Sequence, residues 1–429
     1  MLLRGYPILL TPTSKLFLAN TLMNIKKYFS KPVDKKAQNT ADNGQEKAKS
    51  PKYLTKLAQI PQLSEIERSD LEKVNEEFVF RTNDYYQSLI NWNDPNDPIR
   101  RIVMPDVREL DDWGQLDASN EEKYTKVKGL EHKYTSTALL LVNEVCAAYC
   151  RFCFRKRLFM DENDEVTKDI TEGLEYIREH PEITNVLLTG GDPMIMSTSK
   201  LEPIIKQIRE IDHVKIIRIG TKIPAFNPYR ILNDPSLHEM IKTYSTDEKK
   251  IYIMAHFNHP KELTEIAVKG LNMLMQSGAI VVNQTPLIKG VNDDPEVLAE
   301  LFNRLSFIGV PPYYVFLCRP TLGNEPFALP VEEGYKIFEE ARKKCSGLAK
   351  RARLVMSHET GKVEMVGMSG GQVFFKYNRS VDIQNDASFH TFESNPDAYW
   401  FDDYHESEAV LINNYSIKNL ILQLTKAIR

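Results

Sequence analysis

Residues 137–157 read TALLLVNEVCAAYCRFCFRKR, an apolar run followed at once by Cys146, Cys150 and Cys153. The spacing is CxxxCxxC, with the aromatic Phe152 directly before the last cysteine. Three thiolates in this pattern can ligate three irons of a four-iron cluster. Such clusters are normally held by four cysteines, so a three-cysteine site leaves one iron with an open coordination position for a substrate or cofactor. Structural zinc is the competing reading, but zinc sites are usually closed by four ligands in paired spacings. Only Cys318 and Cys345 remain, and they form no such pair; His256 and His259 could join only through a long closure of the fold. Inert packing of three cysteines leaves their regular spacing without a reason.

Working outward, short β-branched or apolar runs recur at 137–143, 184–191, 214–221, 250–257, 279–287 and 312–320. Amphipathic stretches separate them. Leu201, Ile204, Ile205 and Ile208 fall at helical spacing, as do Leu298, Leu301, Phe302 and Leu305. Strands alternating with such helices imply parallel βαβ units. The pattern predicts an α/β chain whose residues 131–350 form an open, partial (β/α)6 barrel, with its chemistry at the C-terminal ends of the strands.

Residues 53–130 read as a helical N-terminal extension, broken by the Asp-Pro steps of INWNDPNDPIRRIVMPD. Residues 351–429 read as a C-terminal extension. In it RARLVMSHETGKVEMVGM and QVFFKYN are strands joined through Ser369, Gly370 and Gly371, and residues 408–429 form a last amphipathic helix. Residues 1–52 are expected to be poorly ordered, since 30–52 hold almost no large apolar side chain. The first 33 residues lack acidic groups, which suits a transit peptide weakly because they carry one arginine. An ordinary N-terminus is the preferred reading.

Composition excludes little and fits that picture. Of the 429 residues, 42% are hydrophobic and 27% charged, ordinary for a globular protein. A net charge of −4 offers no electrostatic case for nucleic acid or a membrane surface. No apolar run reaches the ~18–20 residues needed to span a bilayer. Five cysteines, three of them clustered, are no disulfide framework and point to a reducing compartment, the cytoplasm.

The cysteine motif followed by LLTGGDP after the second strand resembles the radical S-adenosylmethionine superfamily. HKY (132–134), CRFCFRKR, IRIGT, HFNHP, NQTPLIKGVND and PYYVF, with DPNDPIRRIVMPD upstream, resemble the lysine 2,3-aminomutase family over about residues 75–365. The resemblance implies a radical enzyme moving an amino group from the α- to the β-carbon of an amino acid. Its cofactors would be a [4Fe-4S] cluster on Cys146, Cys150 and Cys153, S-adenosyl-L-methionine and pyridoxal 5′-phosphate. An electron donor such as flavodoxin or ferredoxin is implied, and a homo-oligomer is possible.

Carried over residue by residue, the backbone of Thr189, Gly190, Gly191 and Asp192 would approach the methionine end of S-adenosylmethionine, with His256 nearby. Lys362, in HETGKVE, would hold the pyridoxal aldehyde as an imine. Lys133 stands where the family has a phosphate-contacting arginine, and Gln284 matches a polar residue near the same cofactor. Arg155 would pair with the substrate's α-carboxylate, since a guanidinium fork suits a carboxylate.

The sequence departs from the lysine-specific members at two aspartates that hold the substrate's ε-ammonium. After Cys318 stands Arg319, and before Lys362 stand Ser357 and His358. Arg319 would repel an ammonium and suit a distal carboxylate. This resembles the glutamate 2,3-aminomutase branch and implies an acidic substrate. The alternatives are lysine itself, an enzyme making β-lysine for elongation factor P, or a radical or cluster protein without pyridoxal phosphate.

Overall fold

The computed structural model describes residues 50–160 and 164–404. The expectations for residues 1–49 and for a helix at 408–429 lie outside them. Lys52, placed at the end of the poorly ordered segment by its composition, instead exchanges hydrogen bonds with Asp84.

All six predicted strands form, as β3 (Thr137–Asn143), β4 (Asn185–Gly190), β5 (Ile216–Thr221), β6 (Lys250–Ala255), β7 (Ile280–Leu287) and β8 (Pro312–Leu317). They pair in parallel and in chain order. Helices α2 (Thr171–Glu179), α3 (Thr198–Arg209), α4 (Pro235–Tyr244), α5 (Glu265–Gln276), α6 (Pro295–Phe307) and α7 (Val331–Lys343) return the chain after each strand, following α1 (Glu65–Glu77) upstream. Their starts are written locally. Asp234 and Asp294 cap α4 and α6 with proline as the next residue, and Thr264 caps α5.

Alternation along the strands divides the sheet into two faces. Val186, Leu188, Ile217, Ile219, Ile251 and Ile253 are buried in the core that also holds Leu201, Ile205, Leu271 and Leu274 of the helices. The intervening Leu187, Thr189, Arg218, Tyr252, Gln284, Tyr314 and Phe316 are half-buried on the other face, which lines the lumen.

Two features at the sheet edges are absent from the sequence reading. β1 (Thr125–Val127) and β2 (Leu130–Tyr134) add an antiparallel pair beside β3. At the far side RARLVMSHETGKVEMVGM is two strands, β9 (Arg353–His358) and β10 (Gly361–Ser369). β9 runs parallel to β8 as a seventh parallel strand, delivered there by α7. β10 and β11 (Gln372–Ser380) then form the expected hairpin. Gly370 and Gly371 both have positive φ, as a two-residue turn of this kind requires. β12 (Phe389–Glu393) completes a 12-stranded sheet.

Side chains, not strand pairing, draw the two ends of the sheet together. Arg379 of β11 donates to Ser136 and Thr137 at 3.0 and 3.2 Å, and Lys133 of β2 donates to the His358 carbonyl at 2.7 Å. Tyr124 reaches the Glu359 carbonyl at 2.9 Å. These bonds place the β9–β10 turn against the first hairpin, so the lumen is walled on that side too. No helix among the described residues is long and apolar enough to cross a membrane.

Candidate active site

The cysteine loop leaves the C-terminal end of β3 and is held from outside by the N-terminal extension. Tyr149 N–H donates to the Arg81 carbonyl and Arg151 N–H to the Ile102 carbonyl, each at 2.9 Å. The basic residues of CRFCFRKR are paired inside the protein. Arg151 closes on Glu109 at 2.9 Å, and Lys156 reaches the same carboxylate at 3.1 Å. Cys146, Cys150 and Cys153 are free and half-buried. Burial raises all three thiols, and for Cys146 the Asp192 carboxylate and the other two cysteines add to it. Ligation to iron would offset that cost by holding the thiolates. Among the described residues no three His, Cys, Asp or Glu side chains converge as they would on one metal ion. A cluster asks instead for one thiolate per iron, which three separate thiols on one braced loop can supply.

The segment after β4 packs directly on this loop. Asp192 N–H donates to the Val145 carbonyl at 2.9 Å. A Cβ on Gly190 would meet the Asn143 carbonyl oxygen at 2.4 Å, and one on Gly191 the Val145 oxygen at 2.6 Å. Both glycines are therefore demanded by contact between two backbones, a reason independent of any ligand. The Asp192 carboxylate is likewise engaged within the chain, by Met194 N–H, Thr221 Oγ1 and Lys222 N–H. Burial pushes it up to about 6. His256 follows β6 and meets Phe152 edge to face, 6.0 Å between ring centres, which sets it beside the cysteine loop. Burial and then Lys222 hold it well below the usual histidine range, so it is a neutral imidazole.

Arg155 and Arg319 come together on a residue the sequence reading missed. Arg155 closes its fork on Glu121 with two bonds of 3.0 Å, and its remaining arm donates to Thr189 at 3.2 Å. Arg157 donates to Glu121 at 2.8 Å, and Arg319 stands 3.5 Å from the same carboxylate while stacking 3.8 Å over the Phe154 ring. Against the cost of burial these guanidiniums hold the Glu121 carboxyl far below the usual carboxylate range. A second carboxyl, Glu131 of β2, lies 3.6 Å from Arg155. The only sequence signal for Glu121 was its position in a polar segment just before the first hairpin.

Lys362 faces the lumen from β10. Its Nζ donates to Ser357 Oγ at 2.8 Å and lies 4.7 Å from the centre of the Phe316 ring. Burial, then the positive charges of Arg319, Lys133, Arg218 and Arg379, hold it well below the usual lysine range. An amine biased toward its neutral form and ringed by cations fits an aldehyde cofactor that carries a phosphate. The amine is free to bond to carbon and the cations suit the dianion. Lys133 is itself lowered to about 8, first by burial and then by Arg319. Gln284 lies on the same lumen face, opposite Tyr314 in the pairing of β7 with β8. His358 points away from the lumen, its ring bonded to Asp402 at 2.9 Å and to Thr360 at 2.7 Å. Of the two residues preceding Lys362, Ser357 is the one that faces it.

The Radical SAM superfamily profile matches residues 140–302. The chain is 58% identical over 356 residues to a protein of Aquifex aeolicus named "Putative L-lysine 2,3-aminomutase", covering 83% of this chain and 95% of that one. It is 36% identical to the L-lysine 2,3-aminomutase of Fusobacterium nucleatum, over 77% of this chain and 76% of that one. It is 35% identical to the glutamate 2,3-aminomutase of Clostridioides difficile, over 68% of each chain. A four-iron cluster and S-adenosylmethionine come with the superfamily, and the reaction is an isomerisation supported by a reductant. With that cysteine loop, that lumen and these relatives, the chain belongs to the lysine 2,3-aminomutase family of radical S-adenosylmethionine enzymes.

Proposed function

We propose that the protein is a pyridoxal phosphate-dependent amino-acid 2,3-aminomutase that prefers an acidic substrate, glutamate. The observation that carries this is the charge of the lumen around Lys362, where the strongest fields are all positive. When bound, the cluster with S-adenosylmethionine supplies hydrogen-atom abstraction, and pyridoxal phosphate supplies a π-system for the migrating nitrogen.

The chain's own residues do the rest. Cys146, Cys150 and Cys153 hold the cluster, with the Thr189–Asp192 backbone and His256 bordering the same end of the barrel. Lys362 would hold pyridoxal phosphate by its aldehyde, with Lys133 and Gln284 bordering that cofactor. Because the Arg155 fork is closed on Glu121, the substrate's α-carboxylate meets the remaining arm of Arg155 beside Thr189. Arg319 then faces the distal end of the substrate, where a carboxylate forms a charge-assisted pair and an ammonium is repelled. A small redox protein such as flavodoxin or ferredoxin would deliver the electron.

Lysine is the second reading, favoured by the name of the Aquifex relative. An anaerobic panel of amino acids with S-adenosylmethionine and a reductant tests the pair. Formation of β-glutamate from glutamate, faster than β-lysine from lysine, is expected. The reverse order rejects the acidic reading, and no rearrangement without added pyridoxal phosphate but turnover with it supports the cofactor.

A further inference from the structure

Glu131 is a buried carboxyl group whose Oε1 makes no hydrogen bond. It is 6% exposed, and the nearest arm of Arg155 stops 3.6 Å away because that guanidinium is already closed on Glu121. Leaving such an oxygen unsatisfied is costly, so it is poised to accept a donor from a ligand. Glu131 pairs with Leu139 across β2 and β3, and its charge acts on Lys133 of the same strand.

An α-amino acid carries its ammonium one carbon from its carboxylate. With the carboxylate on Arg155, the ammonium comes within reach of a carboxyl group that nearly touches the same guanidinium. We propose that Glu131 receives the substrate's α-ammonium and takes a proton from it. The N–H bond breaks, an O–H bond forms on Glu131, and the electron pair stays on nitrogen as the free amine needed for bonding to an aldehyde carbon. The inference rests on the amino-acid site described under Proposed function.

The charges facing Glu131 are Glu121, Arg155, Arg157, Glu165 and Lys133. Burial and then Glu121 push its carboxyl up to about 7, with Arg155 and Arg157 opposing. A proton acceptor serves best when it titrates near the working pH.

The test is calorimetric titration of the full-length, cluster-loaded protein before pyridoxal phosphate is added. Glutamate is compared with glutarate, which keeps both carboxylates and lacks the ammonium. Lysine is compared with 6-aminohexanoate in parallel. The wild-type protein should bind glutamate about tenfold or more tighter than glutarate. That advantage should grow as pH rises through about 7, since the carboxylate form is the one that binds.

Glu131→Gln should bring the ratio to about one at every pH, and Glu131→Asp should restore part of it. In protein loaded with pyridoxal phosphate, the absorbance change on mixing with glutamate should slow by about 10²-fold or more in Glu131→Gln. An unchanged ratio in Glu131→Gln, equal loss of both ligands, or an unchanged rate overturns the proposal. Binding of the lysine pair but not the glutamate pair rejects the acidic substrate, while the lysine ratio still decides the role of Glu131.

Discussion

Lys362 Nζ donates to Ser357 Oγ over 2.8 Å, between residues directly opposite one another in the antiparallel pair of β9 and β10. The hydroxyl holds the amine toward the Phe316 ring without giving it a counter-ion. Borohydride reduction of the pyridoxal phosphate-loaded protein, followed by peptide mapping, should place the label on Lys362. A label on Lys133 or Lys376 instead would reject the assignment.

The depressed Lys362 also predicts a pH dependence. Neutral amine is the form that attacks an aldehyde, so a lowered lysine keeps capturing pyridoxal phosphate at lower pH than an ordinary one would. Burial is the first cause and Arg319 the second. Arg319→Ala should therefore raise Lys362 and move the midpoint of capture to higher pH. Stopped-flow capture rates across a pH series measure it, and a midpoint that stays or falls excludes the electrostatic account.

The three cysteines of the loop divide from the other two by location. Cys318 and Cys345 are buried among apolar side chains, donating only to backbone carbonyls. Replacing Cys146, Cys150 or Cys153 by alanine should abolish reductive cleavage of S-adenosylmethionine. Cys318→Ala and Cys345→Ala should leave iron content unchanged. Full iron loading in Cys150→Ala would sink the three-cysteine cluster.

Glu121 is the single carboxylate on which Arg155, Arg157 and Arg319 meet. Removing one partner from a buried ionic group leaves uncompensated charge, at a cost of about 3–5 kcal/mol. Glu121→Ala should lower stability by that order in denaturant melts. The Glu121 carboxyl is held low in the folded state, so its contribution is present above the ordinary carboxylate range and lost only on strong acidification. Wild type and variant should converge in stability in strong acid. A Glu121→Ala loss below about 1 kcal/mol would mean the arginines are held by something else.

What could be read from the sequence follows from how local each feature is. The six strand–helix repeats are written within a few residues and appear as read, and the cysteine spacing is equally local. Glu121 escaped because it pairs with arginines 34, 36 and 198 residues away. Its own segment carries no periodic pattern. The sequence reading runs β9 and β10 together as one strand, although the polar SHETGK between Met356 and Val363 holds the turn that separates them. The parallel pairing of β9 with β8 depends on the crossover of α7, which no local residue announces. The cations around Lys362 come from β2, β5, β11 and the end of β8, so only the curl of the sheet assembles them.

Arg319 decides the substrate in the reading given above, and its surroundings refine the test. It stacks on Phe154 and leans on Glu121, so part of its charge is already balanced. It is nonetheless the strongest charge acting on Lys362, which keeps its field in the lumen. A desolvated charge pair with a distal carboxylate, against repulsion of an ammonium, supports discrimination of about 2–5 kcal/mol. Arg319→Asp should lower kcat/KM for glutamate and raise it for lysine. A fuller switch calls for Ser357→Asp as well, because Ser357 faces the lumen while His358 is turned to Asp402. The quantity to measure is the ratio of kcat/KM for the two amino acids in wild type, Arg319→Asp and the double variant. A wild-type preference for lysine, or a ratio unmoved by Arg319→Asp, would show that the substrate's side chain lies elsewhere in the lumen.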